Sequence, residues 1–333
     1  MAAAAERGKP EKGKPGAVLI VAGPTCSGKS ALALALAQRL GGVVINADSM
    51  QIYRELRLLT ARPGPAETAL APHLLYGVRP AAAPGSVAWW REAALAAIGS
   101  ARAEGRVPIL CGGTGLYFQA LREGLSDIPE PGAAARAAAR AALRERGPAG
   151  LHARLAEVDP ESAARLRPTD SQRIARAFEI WLGTGVSLAV WQARRPARAA
   201  LRTVAILLDP DRAVLRAAIA RRFAAMLDEG AQAEVAALLA QGLDPALPAM
   251  RAHGVPELAA HLRGEISLAE AAARAIAATG RYTKRQATWF RHHPLADPPE
   301  THMIHARFEG FEQLCGEQAA NLESFMRNRV DAG

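Results

Sequence analysis

Gly23-Pro24-Thr25-Cys26-Ser27-Gly28-Lys29-Ser30 fits the pattern G-x-x-x-x-G-K-[ST] and lies between an apolar run, Ala17 to Ala22, and a helix-forming run, Ser30 to Leu40. Strand, glycine-bounded loop and helix in that order form the context in which this pattern cradles phosphate. The glycines let successive backbone N–H groups turn inward around an anion, and the helix that follows adds its positive end. Gly23, Pro24, Thr25, Cys26, Ser27, Gly28, Lys29 and Ser30 are therefore the candidate phosphate-binding residues. Lys29 brings a point charge, and Ser30 is placed to reach Mg²⁺, with Asp48 joining through water. The competing reading is a glycine-rich turn with no ligand. Cys26 reads as a small residue filling a tight turn, and no chemistry is assigned to it.

Further apolar runs follow at Val43 to Asn46, Val107 to Cys111 and Thr203 to Leu208, with a helix predicted from Ser86 to Arg102. Short apolar strands that alternate with helices and end in glycines or acids predict a parallel sheet covered on both faces. Ligands of such sheets gather outside the carboxyl ends of the strands. Asp48 follows the second strand. A carboxylate there either accepts a proton from a nucleophile or holds magnesium through water, unless it simply caps a helix beginning at Ser49. Thr114, in Cys111-Gly112-Gly113-Thr114-Gly115, follows the third strand, where it either hydrogen-bonds at a reacting centre or caps the next helix. Asp209 imitates the acid of a nucleotide hydrolase, but no catalytic glutamate accompanies it, which disfavours a motor or switch ATPase.

The chain has 333 residues, long for one core. We expect a disordered basic tail over 1–16 and the first part of the core over 17–125. A helical insertion follows over 126–200, then completion of the core with C-terminal helices over 201–310, and a tail over 311–333. The insertion is inferred because Ala- and Arg-rich helical segments, broken at Gly147-Pro148, Asp159-Pro160, Arg167-Pro168 and Arg195-Pro196, replace the strand pattern until Thr203. On its helix from Ser171 to Leu182, Ile174, Ala177, Phe178, Trp181 and Leu182 form an apolar stripe. Gln172, Arg173 and Arg176 fall on another face, either an ordinary solvated surface or a grip on phosphates.

Forty-one Lys and Arg against 32 Asp and Glu leave a net charge of +9, which points to an anionic partner. No apolar run is long enough to span a bilayer, and the first residues lack the apolar centre of a secretion signal, so a cytoplasmic protein is expected. The three cysteines, Cys26, Cys111 and Cys315, lie far apart without zinc-type spacing, and neither disulfides nor a structural metal are expected.

Taken in order, the phosphate loop, Asp48-Ser49-Met50-Gln51-Ile52-Tyr53, Thr60-Ala61-Arg62-Pro63, Pro72-His73, Gly112-Gly113-Thr114-Gly115-Leu116-Tyr117, Asp170-Ser171-Gln172-Arg173-Ile174-Ala175-Arg176 and Lys284-Arg285-Gln286 resemble the bacterial tRNA dimethylallyltransferases, the tRNA isopentenyltransferase (IPP transferase) family. Each block alone is weak; the ordered set is specific and spans about Gly16 to His293. The resemblance implies an α/β fold: a P-loop NTPase-like parallel-sheet core with an inserted all-helical domain and a helical C-terminal region. It implies transfer of a dimethylallyl group from its diphosphate to the exocyclic amine N6 of the adenosine on the 3′ side of the anticodon. In the family the Thr25 to Ser30 positions bind the diphosphate substrate and Asp48 is the proposed base. Thr114 contacts the target nucleotide. Contacts to tRNA then fall to Asp48, Ser49, Met50, Gln51, Thr114, Arg136, Gln172, Arg173, Ile174, Ala175, Arg176, Lys284, Arg285, Gln286 and the following residues to Arg291. Mg²⁺, dimethylallyl diphosphate and tRNA are the implied ligands, and a monomer is expected.

The chain departs from the family at Leu58-Leu59, where a glycine is usual and an altered loop is expected, and at Gly280, where an arginine often stands. His253-Gly254-Val255-Pro256 is a loose version of a family segment. Rival readings are a P-loop small-molecule kinase, a relative that prenylates free adenine nucleotide, and a non-catalytic RNA-binding module. The downstream blocks, the basic insertion, and the trio Lys29, Ser30 and Asp48 weigh against each in turn.

Overall fold

In the computed structural model, residues 16–194, 198–313 and 316–330 are described. Six strands, β1 (Val18–Ala22), β2 (Val43–Asn46), β3 (His73–Leu74), β4 (Pro108–Gly112), β5 (Thr203–Leu208) and β6 (Thr301–Ile304), form one sheet in the order β3-β2-β4-β1-β5-β6, with every pairing parallel. β1, β2 and β4 are buried along their whole length, which is why they read as continuous apolar runs without polar alternation. Successive β1 side chains serve opposite faces. Val18, Ile20 and Ala22 join one apolar cluster with Trp90, Ala94 and Phe290, while Leu19 and Val21 join another with Leu32, Leu36 and Ile304.

Two strands escape the apolar-run reading. β3 is only a residue pair, and β6 is an edge strand of composition Thr-His-Met-Ile with only Ile304 buried, so neither presents an apolar run.

Helices α1 (Lys29–Leu40), α2 (Pro65–Leu70), α3 (Val87–Ala103) and α4 (Gly115–Glu123) connect the first strands. After β5 the chain is helical again in α9 (Arg212–Asp228), α10 (Ala231–Leu239), α11 (Val255–Leu262) and α12 (Leu268–His292). The Ser267 hydroxyl caps α12 by accepting the Glu270 N–H. These helices bury Phe223, Val235, Leu258 and Ala271 with Ile52, Leu56 and Leu59 in a separate apolar cluster. Leu59, at the family departure, is thus a core residue, packed against Gly254. The segment expected as a tail over 311–333 instead includes a helix, α13 (Gly316–Arg329), which buries Leu322 and Met326 in the β1–α1 cluster. Its polar composition hid a stripe only two residues deep. Of the expected N-terminal tail, all but Gly16 lies outside the described residues, as do Arg195-Pro196 and Cys315.

The chain divides into two compact units, one of residues 1–122 and 200–333 and one of residues 123–199. Among its described residues the second has helices and no strand: α5 (Ala133–Val158), α6 (Pro160–Ala164), α7 (Ser171–Thr184) and α8 (Leu188–Ala193). α5 bends where Gly147, at φ 65°, precedes Pro148. Leu151, Leu155, Ile174, Ala177 and Phe178 form this unit's core. Phe178→Ala would cost it about 3–5 kcal/mol. Leu182, expected in the same stripe, is 39% exposed, while Glu179 and Ile180 are buried in its stead.

Candidate functional site

The loop between β1 and α1 is held from behind. Phe308 donates its N–H to the Ser27 carbonyl at 2.9 Å, and Arg307 Nε donates to the Cys26 carbonyl at 3.1 Å. Gly28 sits at φ 91°, and a Cβ there would lie 1.9 Å from the Phe308 carbonyl oxygen, so only glycine fits. The first intrahelical bond at this end runs from the Leu32 N–H to the Gly28 carbonyl. The N–H groups at the start of α1 consequently remain available for an anion. Lys29 is 8% exposed, and the fully buried Ser27 carries a hydroxyl with no partner among the described residues. A buried, unpaired donor beside a lysine suits a phosphate oxygen. Cys26 packs on Leu215, Ala218 and Ile219 of α9, and Arg222 donates to its sulfur at 3.7 Å.

Strand order places the turns after β2 and β4 on one side of this loop and the end of β5 on the other. On the β5 side a mainly apolar cavity of about 550 Å³ opens beside Pro24, with Phe290 and Met303 in its wall and Asp209 and Arg291 as its charged groups. On the β4 side stands Asp48. Its backbone is clamped by the buried Asn46, whose Oδ1 accepts the Asp48 N–H at 2.8 Å and whose Nδ2 donates to the Asp48 carbonyl at 2.9 Å. The Asn46 carbonyl in turn accepts the Trp90 indole N–H at 2.8 Å. Oδ1 of Asp48 accepts the Met50 N–H at 2.9 Å, which leaves the other oxygen for a proton. Trp90 stacks on Tyr117 with centroids 4.2 Å apart.

Three tyrosines feel the charge of that carboxylate. Burial raises the pKa values of Tyr76, Tyr117 and Tyr282, and the negative charge of Asp48 adds to each. The ring of Tyr282 lies 5.1 Å from that of His253, whose pKa burial lowers. Burial pushes the Cys111 thiol up to about 11, although Lys29 and a hydrogen bond with Ser30 oppose the shift. Cys111 therefore stays a neutral thiol near pH 7 and is no nucleophile.

Among the residues expected at tRNA, Lys284, Arg285 and Arg291 project exposed from α12, and Ser49 and Met50 are half-buried beside Asp48. Three others are buried. Gln51 is buried, its amide donating to the carbonyls of Thr60 and Ala61. Gln286 is 4% exposed and bonded to Thr25 and Gly113, so it faces inward from a helix whose charged residues face out. Ile174 is wholly buried in the core of the helical unit, and only its neighbours on α7 are open to a ligand.

Within that unit Gln172, Arg173 and Arg176 are exposed and Ala175 is half-buried. Arg136 and Arg176 share the Oε1 atom of Glu179, at 3.3 and 2.8 Å, and Arg136 also pairs with Glu130. The residues missed in the sequence are Asn46, Trp90, Tyr282, Arg307 and Phe308. Asn46 alone carried a local signal, a polar residue ending an apolar strand.

The family model described as IPP transferase matches residues 51–293, and that described as isopentenyl transferase matches residues 16–72. The tRNA dimethylallyltransferase of Granulibacter bethesdensis is 61% identical over 93% of this chain and 97% of its own length. That of Gluconacetobacter diazotrophicus is 61% identical over 95% and 96%. The crystal structure of the full-length tRNA isopentenylpyrophosphate transferase from Bacillus halodurans superposes with a TM-score of 0.66 at 29% identity, covering 95% of this chain and 97% of that one. A eukaryotic dimethylallyltransferase acting on tRNA shares the fold, with a TM-score of 0.78 at 24% identity over 94% and 80% of the two chains. With near-full-length identity of that order and a family model covering most of its residues, the chain belongs to the IPP transferase family, that of the bacterial tRNA dimethylallyltransferases.

Proposed function

We propose that the protein transfers a dimethylallyl group from dimethylallyl diphosphate to N6 of the adenosine on the 3′ side of the anticodon in tRNA, releasing diphosphate. The observation that carries this reading is the pairing of an anion nest, with Lys29 and the Ser27 hydroxyl that is unpartnered among the described residues, and a carboxylate fixed by Asn46 on the β4 side of that nest. A nest alone serves a kinase equally well. A base among tyrosines suits a weak nitrogen nucleophile held by stacking and hydrogen bonds.

In the transfer, a bond forms between N6 and the terminal allylic carbon while that carbon's bond to the diphosphate oxygen breaks, and the electron pair leaves with the diphosphate. Lys29, the first N–H groups of α1 and the Ser27 hydroxyl stabilise the departing charge. Asp48 takes the proton released from N6 as the new bond forms. Thr114 orients the base, and the Tyr282 hydroxyl, its pKa raised by burial, stays neutral beside it.

Ser30 and Asp48 offer hard oxygen donors, and among the described residues no group of three His, Cys, Asp or Glu is placed to hold a metal. That donor set would suit Mg²⁺ bound with the diphosphate, Ser30 holding it directly and Asp48 through water. When bound, the ion adds positive charge at the leaving group.

For tRNA, the exposed Lys284, Arg285 and Arg291 of α12 and the exposed Gln172, Arg173 and Arg176 of α7, with Arg136, provide phosphate and sugar contacts. Among the described residues no helix is long and apolar enough to cross a membrane. A cytoplasmic monomer is the form in which we expect the protein to act.

The test is incubation with dimethylallyl diphosphate, Mg²⁺ and unmodified tRNA, followed by digestion to nucleosides and mass spectrometry. Prenylated adenosine at the position 3′ of the anticodon is the expected product. ATP turnover without it would indicate a kinase, modification of free adenine nucleotide a different acceptor, and tRNA binding with neither product a non-catalytic module.

A further inference from the structure

Gln286 uses both ends of its carboxamide, and each end meets a different loop of the site. Oε1 accepts the N–H of Thr25 at 2.9 Å and the hydroxyl of Thr25 at 3.2 Å, while Nε2 donates to the Gly113 carbonyl at 2.9 Å. The two ends cannot be exchanged, because a flipped amide would set NH₂ against N–H at Thr25 and oxygen against oxygen at Gly113. Gly113 leaves the wedge no slack: a Cβ there would lie 2.1 Å from Gln286 Nε2. From Gly113 the chain enters Thr114, whose N–H donates to the Ala47 carbonyl at 3.2 Å and whose hydroxyl accepts the Ser49 N–H at 2.9 Å. One series of hydrogen bonds therefore runs from the anion loop through Gln286 to the two residues flanking Asp48.

We infer that Gln286 is a positioning residue, which sets the Thr25 end of the diphosphate loop at a fixed distance from the Gly113–Thr114 turn and so aligns the leaving group with the base, without touching tRNA. The inference rests on the assignment of residues 23–30 to diphosphate. Alignment matters because a displacement of about 1 Å between reacting groups costs on the order of 100-fold in rate.

The experiment uses the full chain, Gln286→Met, Gln286→Glu and Lys29→Ala. Calorimetry gives the affinity for inorganic diphosphate with Mg²⁺, filter binding that for tRNA, and steady-state kinetics give kcat and KM for dimethylallyl diphosphate. Methionine keeps the length and removes both polar ends. We expect roughly tenfold weaker diphosphate binding and a kcat reduced about 10–100-fold, with tRNA affinity unchanged within about twofold. Glutamate supplies the diagnostic readout. Its protonated form donates to Gly113 and accepts from Thr25 as the amide does, whereas its ionised form opposes the Gly113 carbonyl with a second acceptor. The kcat/KM of Gln286→Glu relative to the unaltered chain should therefore rise about fivefold or more from pH 8 to pH 6, as burial favours the neutral acid.

A folded methionine variant with diphosphate affinity and kcat within twofold of the unaltered chain overturns the inference, as does a loss confined to tRNA affinity. If the methionine variant does not fold, a pH-independent ratio for the glutamate variant overturns it. Lys29→Ala separates the two levels. If it leaves diphosphate binding intact, the anion site lies elsewhere and the inference falls with the loop assignment. If it abolishes binding while the Gln286 variants behave as the unaltered chain, the inference alone fails.

Discussion

The hydroxyl of Thr114 accepts the backbone N–H of Ser49 at 2.9 Å, so the turn after β4 is pinned to the turn after β2 with Asp48 beside the joint. Valine at position 114 keeps the shape and removes that acceptor, leaving a half-buried N–H unpaired at a cost of about 1–3 kcal/mol. Thr114→Val should lower kcat about 10–100-fold, because Asp48 loses its registration, whereas Thr114→Ser should recover most of the rate. Parallel rate measurements on the two variants decide it: a loss in Thr114→Ser with Thr114→Val near the unaltered rate would mean that the methyl group matters and the hydrogen bond does not.

Asp48→Asn retains the size of the side chain and removes its basicity. Turnover should fall by about 10²–10⁴, the usual worth of a general base, while tRNA affinity stays nearly unchanged. The clamp by Asn46 acts on the Asp48 backbone, so the variant should fold normally. A rate close to that of the unaltered chain in single-turnover assays would remove Asp48 from the base role.

Gly28 tests the bracing of the phosphate loop by the segment after β6. Alanine there meets both a left-handed φ of 91° and the Phe308 carbonyl at 1.9 Å. Relief requires moving the 307–308 segment, which breaks the Phe308 N–H bond to Ser27 and displaces the Arg307 side chain from the Cys26 carbonyl. We expect Gly28→Ala to lose about 3 kcal/mol or more of stability by denaturant unfolding, along with diphosphate affinity. Stability within about 0.5 kcal/mol of the unaltered chain would show that the brace yields freely.

Which parts were legible follows from physics that is local or not. β1, β2, β4 and β5 announce themselves because strands covered on both faces must be apolar throughout. Asp48 and Thr114 follow from their place just after such strands. β6 has water on one side and α13 hides its small apolar stripe, so no local pattern marks either. The inward place of Gln286 is hidden for a related reason. Its helix turns inward on Ala271, Ala275, Thr283, Gln286 and Phe290, a face with one large apolar side chain that two polar residues interrupt. Its partners, Thr25 and Gly113, lie 261 and 173 residues away, a proximity that only the sheet order creates.

Acid should loosen the protein through its half-buried histidines. His302 of β6 packs against Phe325 of α13 with ring centroids 5.2 Å apart, and burial lowers its pKa below the usual 6.5. His253 shifts the same way, burial first, with Arg285 and Arg281 reinforcing the shift and Glu257 and Asp48 opposing it. The unfolded chain takes up these protons near pH 6.5, the folded chain only at lower pH. Stability is therefore full above about pH 6.5, declines as pH falls towards the folded pKa values, and levels off below them. Denaturant midpoints at pH 7.5 and 5.5 measure the decline, and His302→Phe should lessen it. An undiminished decline in that variant would show that His302 contributes nothing to it.

On α7 the reading of Arg176 and Arg136 as phosphate contacts makes a salt-dependent prediction. Both lean on one oxygen of Glu179, a carboxylate 9% exposed that holds the two guanidinium groups in place. Each arginine that neutralises a phosphate releases condensed counterions, so its loss lowers the slope of log K against log salt by about 0.7–0.9. Arg176→Ala and Arg136→Ala should each weaken tRNA binding and flatten that slope by one such step, leaving kcat at saturating tRNA nearly unchanged. Glu179→Gln keeps both cations, so it should preserve the slope while weakening affinity modestly, because the guanidinium groups must now be ordered on binding. Filter binding between about 50 and 200 mM salt distinguishes the outcomes. Slopes identical to that of the unaltered chain in both arginine variants would reduce the pair to an intramolecular ion network with no part in holding RNA.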